Sequence, residues 1–355
     1  MKVDVAIIGA GMAGASLAAE IAGAASVLIL EAEDRPGYHA TGRSAAFWSE
    51  TYGGPLIQPL TSASRPALAP YLSPRGAIHI ANEGGREALA ALAGEFAGAG
   101  VALERLDRSA LEARLPGLRP GWNEGLSEPS CADIDVAALH AFYLAKARQA
   151  GAVLVADARV AGIERSASGW LIDGTCEADI LVNAAGAWAD EIAVLAGERP
   201  IGIAPYRRTI VQLRVDPPVA ADLPLVVDAA GRFYFKPEAG GRLWLSPHDE
   251  TPSAPCDCAP EEIDVATAID RLEGVVDWRV ARVEHKWAGL RSFAPDRLPV
   301  YGFSGSDRGF FWCAGQGGFG IQTAPAAAAL AGRLLLGRPP GDIDPAPYLA
   351  ARFEN

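Results

Sequence analysis

The first thirty-one residues constrain the fold more than any other part of the chain. An apolar, strand-like run ends at Ile8, the glycine-rich GAGMAG follows at residues 9–14, and an Ala/Leu-rich helix leads to a second apolar run that ends at Glu31. This order of strand, glycine turn, helix, strand and acid is typical of a βαβ dinucleotide-binding unit. It predicts an α/β fold with a Rossmann-like domain.

Each glycine of the motif has a separate physical task. Gly9 permits the tight turn, Gly11 lets the backbone approach a pyrophosphate, and Gly14 lets the helix pack closely on the strand. The start of the helix, at Met12 and Ala13, offers free N–H groups and a partial positive charge to an anion. Glu31 is expected to accept hydrogen bonds from the adenosine ribose. The motif does not decide between NAD and FAD.

Length, composition and charge exclude several classes of protein. The 355 residues suggest two domains, and 50% hydrophobic with 21% charged residues is typical of a soluble globular protein. A net charge of −12 argues against a nucleic-acid partner. Asp4 and Glu20 interrupt the apolar N-terminal run, which therefore resembles neither a signal peptide nor a membrane-spanning segment.

The cysteines predict neither a disulfide framework nor a metal site. Their number, five, is odd, and the one close pair, Cys256 and Cys258, has no partner ligands nearby in the sequence. We therefore expect reduced thiols, no bound metal and a cytoplasmic location.

Four segments resemble the D-amino-acid oxidase superfamily of FAD-dependent oxidoreductases, and most of all its bacterial D-arginine/D-amino-acid dehydrogenases. They are GAGMAG…VLILE, RPGYHATGRSAA, ILVNAAGAWAD and WAGLRSF…GFFWCAGQGGFGIQT, in the same order as in the family and over nearly the whole chain. The resemblance implies bound FAD. It also implies a discontinuous FAD-binding domain (1–80, 140–200 and 285–355) and an antiparallel-sheet α+β substrate domain (81–139 and 201–284).

The resemblance assigns FAD contacts well beyond the first motif. The segment after Glu31 would lie along the cofactor, with small alanines where the flat flavin ring passes. A helix beginning near Ile321 would favour the negative charge of reduced flavin. The implied contacts outside the first motif are Thr41, Gly42, Arg43, Ser44, Ala45, Ala46, Val160, Ala185, Gly186, Gln316, Gly317, Gly318, Phe319, Gly320, Ile321 and Gln322.

The same resemblance implies a carboxylate clamp for the substrate. Arg291 matches the family's carboxylate-binding arginine, because a guanidinium can hold a carboxylate with two parallel hydrogen bonds. Tyr234 matches its tyrosine partner, with a purely structural role as the alternative. Either Arg207 or Arg208 would add a second charge. His248 stands where related sarcosine oxidases have an active-site histidine, although it is equally well explained as a loop residue.

Two aromatic residues and one alanine bear on substrate choice. Phe47 and Tyr52 are expected to face the pocket, whereas Trp48 is expected to fill the domain junction. The D-arginine enzymes have a glutamate where this chain has Ala77 and a histidine at Phe47. These departures favour an uncharged or apolar substrate side chain.

Gln322 occupies the position of the lysine that monomeric sarcosine oxidases use to activate oxygen. This chain also lacks the cysteine to which those enzymes attach flavin. Both departures favour noncovalent FAD and a dehydrogenase over an oxidase.

The resemblance therefore predicts oxidation of the Cα–N bond of a D-amino acid by hydride transfer to flavin N5, followed by hydrolysis of the imino acid to a 2-oxo acid and ammonia. No strong general base is required, because positioning and cofactor chemistry suffice. The alternatives are a 2-hydroxy acid, glycine or N-methyl amine substrate, an NAD enzyme, and a non-catalytic flavin-binding protein. The electron acceptor, whether a quinone, an electron-transfer protein or oxygen, is left open.

Overall fold

The structure, a computed structural model, describes residues 1–166, 169–305 and 309–353. Strands alternate with helices at the N-terminus and predominate in the second half of the chain. The strands are β1 (Lys2–Ile8), β2 (Val27–Leu30), β3 (Phe47–Trp48), β4 (Leu72–Pro74), β5 (Ala77–Ala81), β6 (Glu104–Leu106), β7 (Glu124–Glu128), β8 (Ala132–Ile134), β9 (Val153–Val155), β10 (Ile163–Ser166), β11 (Gly169–Ile172), β12 (Cys176–Asn183), β13 (Ala204–Asp216), β14 (Leu225–Asp228), β15 (Tyr234–Glu238), β16 (Arg242–Ser246), β17 (Thr251–Pro252), β18 (Arg279–Phe293), β19 (Val300–Phe303) and β20 (Phe310–Ala314).

The helices are short, and five 3₁₀ turns supplement them within the described ranges. The α-helices are α1 (Met12–Ile21), α2 (Gln58–Leu68), α3 (Arg86–Glu95), α4 (Arg108–Arg114), α5 (Val136–Gln149), α6 (Ala189–Leu195), α7 (Glu262–Glu273) and α8 (Ala324–Leu335). The last helix begins three residues after the predicted start at Ile321, and Pro325 in its first turn suits a helix N-terminus.

The first sheet is mainly parallel and carries the βαβ unit. Its order is β10-β11-β12-β1-β2-β9, and β20 pairs with the second half of β12. β1 is buried between its parallel neighbours β2 and β12, as its apolar sequence predicts. Apolar residues of α1, α5 and α8 cover one face, and Trp170, Ile192 and Trp312 belong to the core on the other.

The second sheet is antiparallel except at one pair. Its order is β17-β13-β16-β15-β14-β5-β7-β6, with β18 paired along the full length of β13 and β14 parallel to β5. The two long strands β13 and β18 run from the pair Ala204–Phe293 to the pair Asp216–Arg279. α7 packs its apolar face on this sheet.

The two sheets confirm the predicted fold class, a Rossmann-like α/β part and an antiparallel-sheet α+β part. A third, small sheet of order β3-β8-β4 pairs Phe47 with Asp133 and Trp48 with Ala132. Trp48 is fully buried, as expected of a residue that fills a junction, and its indole donates to the Thr61 carbonyl. The exact domain boundaries stay a prediction.

Candidate active site

A cavity of about 420 Å³ lies at the carboxyl ends of β1, β2 and β12. Open α/β sheets bind their ligands at this edge. Sixteen of the residues that the sequence assigns to the cofactor line it. They are Gly9, Gly11, Met12, Ala13, Glu31, Thr41, Arg43, Ser44, Val160, Ala185, Gly186, Gln316, Gly317, Gly318, Gly320 and Ile321.

The glycines of the first motif have the geometry that their predicted tasks require. Gly9 has a φ of +102°, and a Cβ there would lie 2.5 Å from the Ala184 carbonyl oxygen. A Cβ on Gly14 would lie 2.0 Å from the Gly9 carbonyl oxygen, so Gly14 packs against the turn outside the cavity lining. Gly11 faces the cavity, with only the Thr41 hydroxyl at 3.4 Å. That open backbone is a cradle that a side chain would fill.

Glu31 is held in place by the backbone around the turn. Its carboxylate accepts from the Ala10 N–H at 2.7 Å and from the Glu33 N–H at 3.1 Å. His140, for which the sequence predicts no role, donates from Nε2 to the Ala10 carbonyl at 2.8 Å. Burial lowers the pKa of His140, so the ring is neutral and supports the turn without adding charge.

The segment from Arg43 to Ala46 bends from the large cavity toward a second one. Trp287 donates from its indole to the Arg43 carbonyl at 3.0 Å, and the Ser44 hydroxyl accepts from the Ala46 N–H at 3.1 Å. Gly42 is outside the lining, because it packs against the Gly37 carbonyl oxygen. Two side chains, the Trp287 indole and the Ser44 hydroxyl, therefore fix the backbone of the bend.

The loop after β20 has no room for a side chain at Gly317 or Gly318. A Cβ on Gly317 would lie 2.2 Å from the Phe293 ring, and a Cβ on Gly318 would lie 2.2 Å from the Tyr52 hydroxyl. Phe319 points away from the lining into an apolar cluster with Ile57 and Phe293. At Gly317 and Gly318 the loop therefore presents only backbone to a ligand.

A second cavity of about 20 Å³ adjoins the first and shares part of its lining. It brings together most of the predicted substrate residues with the two alanines. Its lining is Ser44, Ala45, Ala46, Phe47, Tyr52, Tyr234, Arg291, Gly318, Ile321 and Gln322.

Arg291 is a buried cation that has no partner among the residues that the structure describes. Its side chain is 7% exposed, lies on β18 opposite Tyr206, and makes no hydrogen bond or ion pair with any residue in the described ranges. Burial, with the positive charge of Arg208 added, lowers the pKa of the guanidinium. A desolvated guanidinium that faces a cavity favours an anion.

Three aromatic rings form the wall around Arg291. Phe47 contacts Tyr52 at 5.3 Å and Tyr234 at 5.7 Å between ring centroids. Tyr52 also packs on Phe319. Burial raises the pKa of Tyr234, so its hydroxyl stays protonated and can donate to a carboxylate.

His248 lies behind Tyr234, outside the lining of both cavities. Its ring is 5.7 Å from the Tyr234 ring, and Nδ1 donates to the Gly231 carbonyl at 2.6 Å. Burial and the charge of Arg208 lower the pKa of His248 to about 3. The ring is therefore neutral, and its Nδ1–H is already used.

Arg207 and Arg208 differ from Arg291 because both have partners. Arg207 forms ion pairs with Glu261 and Asp264. Arg208 donates to the Asp249 carbonyl at 2.8 Å and pairs with Glu250 at 3.2 Å. Arg208 thus contributes a nearby charge from outside the cavity lining.

Ala77 is likewise one layer behind the cavity. It is 1% exposed and belongs to an apolar cluster with Ala45, Cys131 and Tyr234. Ala77 therefore backs the pocket wall without lining it.

Gln322 uses its whole amide to hold the neighbouring chain. Oε1 accepts from the Ser49 N–H at 3.3 Å, and Nε2 donates to the Tyr52 carbonyl and the Thr61 hydroxyl, each at 3.0 Å. It lines the cavity, but its polar atoms have protein partners. Gln322 is thus placed to position the segment that carries Tyr52.

A buried carboxylate that the sequence analysis missed holds the same segment. Glu128, fully buried at the end of β7, accepts from the Ser49 hydroxyl at 2.9 Å, the Glu50 N–H at 2.7 Å, the Thr51 hydroxyl at 2.7 Å and His79 Nε2 at 3.2 Å. We call these five residues the Glu128 cluster. A single glutamate in a short strand gives no sequence signal for such a role.

The fold and the cavity together define a dinucleotide-binding protein. The sequence profile of the DAO family, described as FAD dependent oxidoreductase, matches residues 4–334. The chain therefore belongs to the DAO family of FAD-dependent oxidoreductases, whose cofactor is FAD. The open backbone at Gly11, the fixed Glu31 and the side-chain-free loop at Gly317 and Gly318 fit this cofactor.

Similar proteins include amine and amino-acid oxidoreductases. Glycine oxidase of Geobacillus kaustophilus is 28% identical over 94% of this chain and 93% of that protein. The hydrogen cyanide synthase subunit HcnC of Pseudomonas aeruginosa is 29% identical over 60% of this chain, which matches only 51% of that protein. The crystal structure of the Geobacillus glycine oxidase superposes with a TM-score of 0.87 at 25% identity, covering 99% of both chains.

One more distant structure supports the fold alone. L-proline dehydrogenase from P. horikoshii has a TM-score of 0.86 at 19% identity and covers 99% of this chain and 98% of that one. Across the described ranges, every helix is too short or too polar to cross a membrane.

Proposed function

We propose that this protein oxidises the Cα–N bond of a small α-amino acid with an uncharged side chain, either glycine or a D-amino acid such as D-alanine. The observation that carries the proposal is the buried guanidinium of Arg291 on the lining shared by the two cavities. It has no ion-pair partner in the described part of the chain. An amino-acid carboxylate would supply the two acceptors that this fork lacks. The similarity to a glycine oxidase supports the same substrate class.

The chain's own residues would bind and orient this substrate. Arg291 would hold the carboxylate, and the protonated Tyr234 hydroxyl would add a third donor. Phe47 and Tyr52 would exclude water and leave little room beyond Cα, so that small side chains are preferred. Bound FAD supplies the hydride acceptor. No described lining residue of the small cavity is an acid or a histidine, so the substrate amine would have to arrive neutral.

The lining of the small cavity favours an uncharged substrate side chain over a basic one. Among the described residues, its aromatic wall has no acidic side chain that could pair with a basic substrate. A 2-hydroxy acid would fit the same clamp but lacks the amine lone pair that drives hydride loss. The clamp would therefore accept an amino acid or a 2-hydroxy acid, and the rates of flavin reduction by the two substrates distinguish them.

The test is anaerobic reduction of the yellow holoenzyme by each substrate. The reduction is measured as the loss of visible flavin absorbance. We expect glycine or D-alanine to bleach the flavin at least tenfold faster than D-arginine, L-alanine, glycolate or D-lactate. Sarcosine, which is N-methylglycine, tests the alternative of an N-methyl amine substrate. Faster bleaching by D-lactate or D-arginine than by both small amino acids would refute the proposed substrate class.

We further propose that the enzyme is a dehydrogenase whose FAD is held noncovalently. No described residue lining either cavity is a lysine. Gln322, at the position of the lysine that monomeric sarcosine oxidases use to activate oxygen, lines the small cavity. After anaerobic reduction, reoxidation by a soluble quinone should be at least tenfold faster than by air-saturated buffer. Equal or faster reoxidation by oxygen would make the protein an oxidase. Denaturation should release all flavin into the supernatant, and retained yellow colour would indicate a covalent link.

A further inference from the structure

One wall of the cofactor cavity belongs to a segment that the sequence assigned to no function. Residues 253–261 connect β17 with α7, and the thiol-bearing residues Cys256 and Cys258 of this segment line the cavity. The segment has no helix or strand, and most of its residues are exposed. It contains two prolines and no glycine, which restrict its backbone.

The two ends of the segment are anchored on β13. The Ser253 N–H donates to the Pro205 carbonyl at 3.1 Å, and Glu261 forms an ion pair with Arg207. These contacts fix where the segment begins and ends. They leave its middle to be held by other residues.

The middle of the segment is held from the cofactor side. Arg43 donates to the Cys258 carbonyl at 3.0 Å and forms an ion pair with the Asp257 carboxylate. The Tyr38 hydroxyl donates to the other Asp257 oxygen at 3.0 Å. Within the described part of the chain, residues 254–260 make no other hydrogen bond outside the segment.

We propose that residues 253–261 form a strap over the bound FAD, and that Asp257 keeps the strap closed and slows release of the cofactor. The strap joins the two parts of the protein, because its ends lie on the antiparallel sheet and its middle on the turn that lines the cofactor cavity. The proposal rests on FAD in the large cavity and is independent of the substrate.

The charges at the contact support a closed strap at neutral pH. The hydrogen bond from Arg43 lowers the pKa of the Asp257 carboxyl, and the Tyr38 hydroxyl lowers it further. The carboxylate is therefore ionised, and an ionised acceptor strengthens both hydrogen bonds. Because the Asp257 side chain is 58% exposed, its carboxylate returns to solvent when the contact opens. The Arg43 guanidinium, which is only 15% exposed, keeps its hydrogen bonds to the Tyr38 and Ala288 carbonyls.

The first experiment measures FAD release from the holoenzyme. The holoenzyme is diluted into flavin-free buffer to a concentration at which released FAD does not rebind, and FAD release is followed by flavin fluorescence. We expect Asp257→Asn to raise the dissociation rate roughly three- to tenfold, as the loss of one partly exposed charged contact implies, and Tyr38→Phe to raise it less. Asp179→Asn, which removes an exposed carboxylate paired with Lys2, is the matched control and should leave the rate unchanged. A rate in Asp257→Asn equal to the control would overturn the proposal.

The second experiment reads the position of the strap directly. Cys131, Cys176 and Cys313 are buried, so in a Cys256→Ser background only Cys258 should react with a thiol reagent in the folded protein. We expect FAD to slow the labelling of Cys258, and Asp257→Asn to speed it in the holoenzyme. If Asp257→Asn accelerates FAD release without accelerating Cys258 labelling, Asp257 acts only through Arg43 and the strap is refuted.

Discussion

The cofactor cavity and the substrate cavity share Ser44, Arg291, Gly318 and Ile321, yet they are built from different parts of the chain. The cofactor cavity is formed mainly by backbone and small residues at the ends of parallel strands, and its critical positions are those where a Cβ would collide. The proposed substrate cavity is enclosed by large side chains from loops, from the short strands β3 and β15 and from the long strand β18. A site that binds its ligand through backbone depends on local packing. A site that binds through side chains depends on which residues the fold brings together from distant segments.

This difference predicts that the two functions can be separated by substitution. A change at a glycine of the first motif should affect folding and FAD together, because the glycine forms part of the packing. A change at Arg291 should affect the substrate alone, because its guanidinium has no partner in the described protein. The variants below test that separation, from the largest expected effect to the smallest.

Arg291→Ala should lower kcat/KM for the best amino-acid substrate by roughly a thousandfold, about 4 kcal/mol of transition-state binding, because two charge-assisted hydrogen bonds are lost. FAD content, measured from the visible spectrum, should equal that of the wild type. Arg291→Lys should recover only part of the loss, since an ammonium lacks the planar fork.

Arg214→Ala is the control for Arg291→Ala. Arg214 lies on the adjoining strand β13, is partly exposed and pairs with Glu284 at 2.8 Å. Its loss should leave kcat/KM within about twofold, as a surface ion pair implies. Normal turnover in Arg291→Ala would show that the carboxylate is held elsewhere, and loss of FAD would show that the two functions are not separable at this residue.

Gly14→Ala should destabilise the protein by roughly 2–4 kcal/mol and lower its FAD content, since overpacking is costly where backbone cannot move. The added Cβ would lie 2.0 Å from the Gly9 carbonyl oxygen and 3.2 Å from Ile7 Cγ2. Urea unfolding and the flavin-to-protein absorbance ratio measure the two effects. Gly23→Ala, just after the same helix and with no atom within 4 Å of its Cβ, should change neither.

The outcome of Gly14→Ala also shows how strictly the cofactor cavity depends on close packing of the turn. If the variant keeps its FAD and its stability, the turn can relax, and the cofactor cavity is less dependent on exact packing than its geometry implies. If FAD is lost while the unfolding free energy is unchanged, the glycine acts on the ligand directly.

The sequence predicted the cofactor half of the site more fully than the substrate half, for a physical reason. The tasks of Gly9, Gly11, Gly14 and Glu31 are set within one βαβ unit, so the local pattern contains them. Arg291 and Tyr234 were found through the family resemblance, since nothing in the local pattern distinguishes Arg291 from its paired neighbours on β13. The fold class was also predicted, because strand and helix patterns are local.

Residues that act through distant contacts were not predicted. Asp257 meets Arg43 across 214 positions of sequence, and Glu128 meets Thr51 across 77. The helix predicted to begin near Ile321 begins at Ala324, because residues 321–323 form turns. Such details depend on tertiary packing, which cannot be inferred from a single sequence.

Glu128→Gln should give the smallest effect and test whether the substrate wall has its own support. Burial alone would raise the pKa of Glu128, but the hydrogen bond and charge of His79, with the donors Thr51 and Ser49, outweigh it and lower the pKa. Glutamine keeps the size but accepts fewer hydrogen bonds, so we expect a loss of about 1–3 kcal/mol of unfolding free energy at pH 7. KM should rise with FAD content unchanged, because the cluster positions the chain before Tyr52.

The pH dependence of that loss follows from the direction of the shift. A carboxyl whose folded pKa lies below its ordinary value of 4.5 stabilises the protein above that pH, and the contribution disappears as the pH falls through the folded value. The difference in unfolding free energy between wild type and Glu128→Gln should therefore be constant from pH 7 to about pH 5.5 and shrink as the pH falls through and below 4.5. Glu104→Gln, which changes an exposed glutamate on neighbouring β6, should show no such trend. A difference that is constant with pH would mean that Glu128 acts through packing, and an unchanged KM would mean that Gln322 alone positions Tyr52.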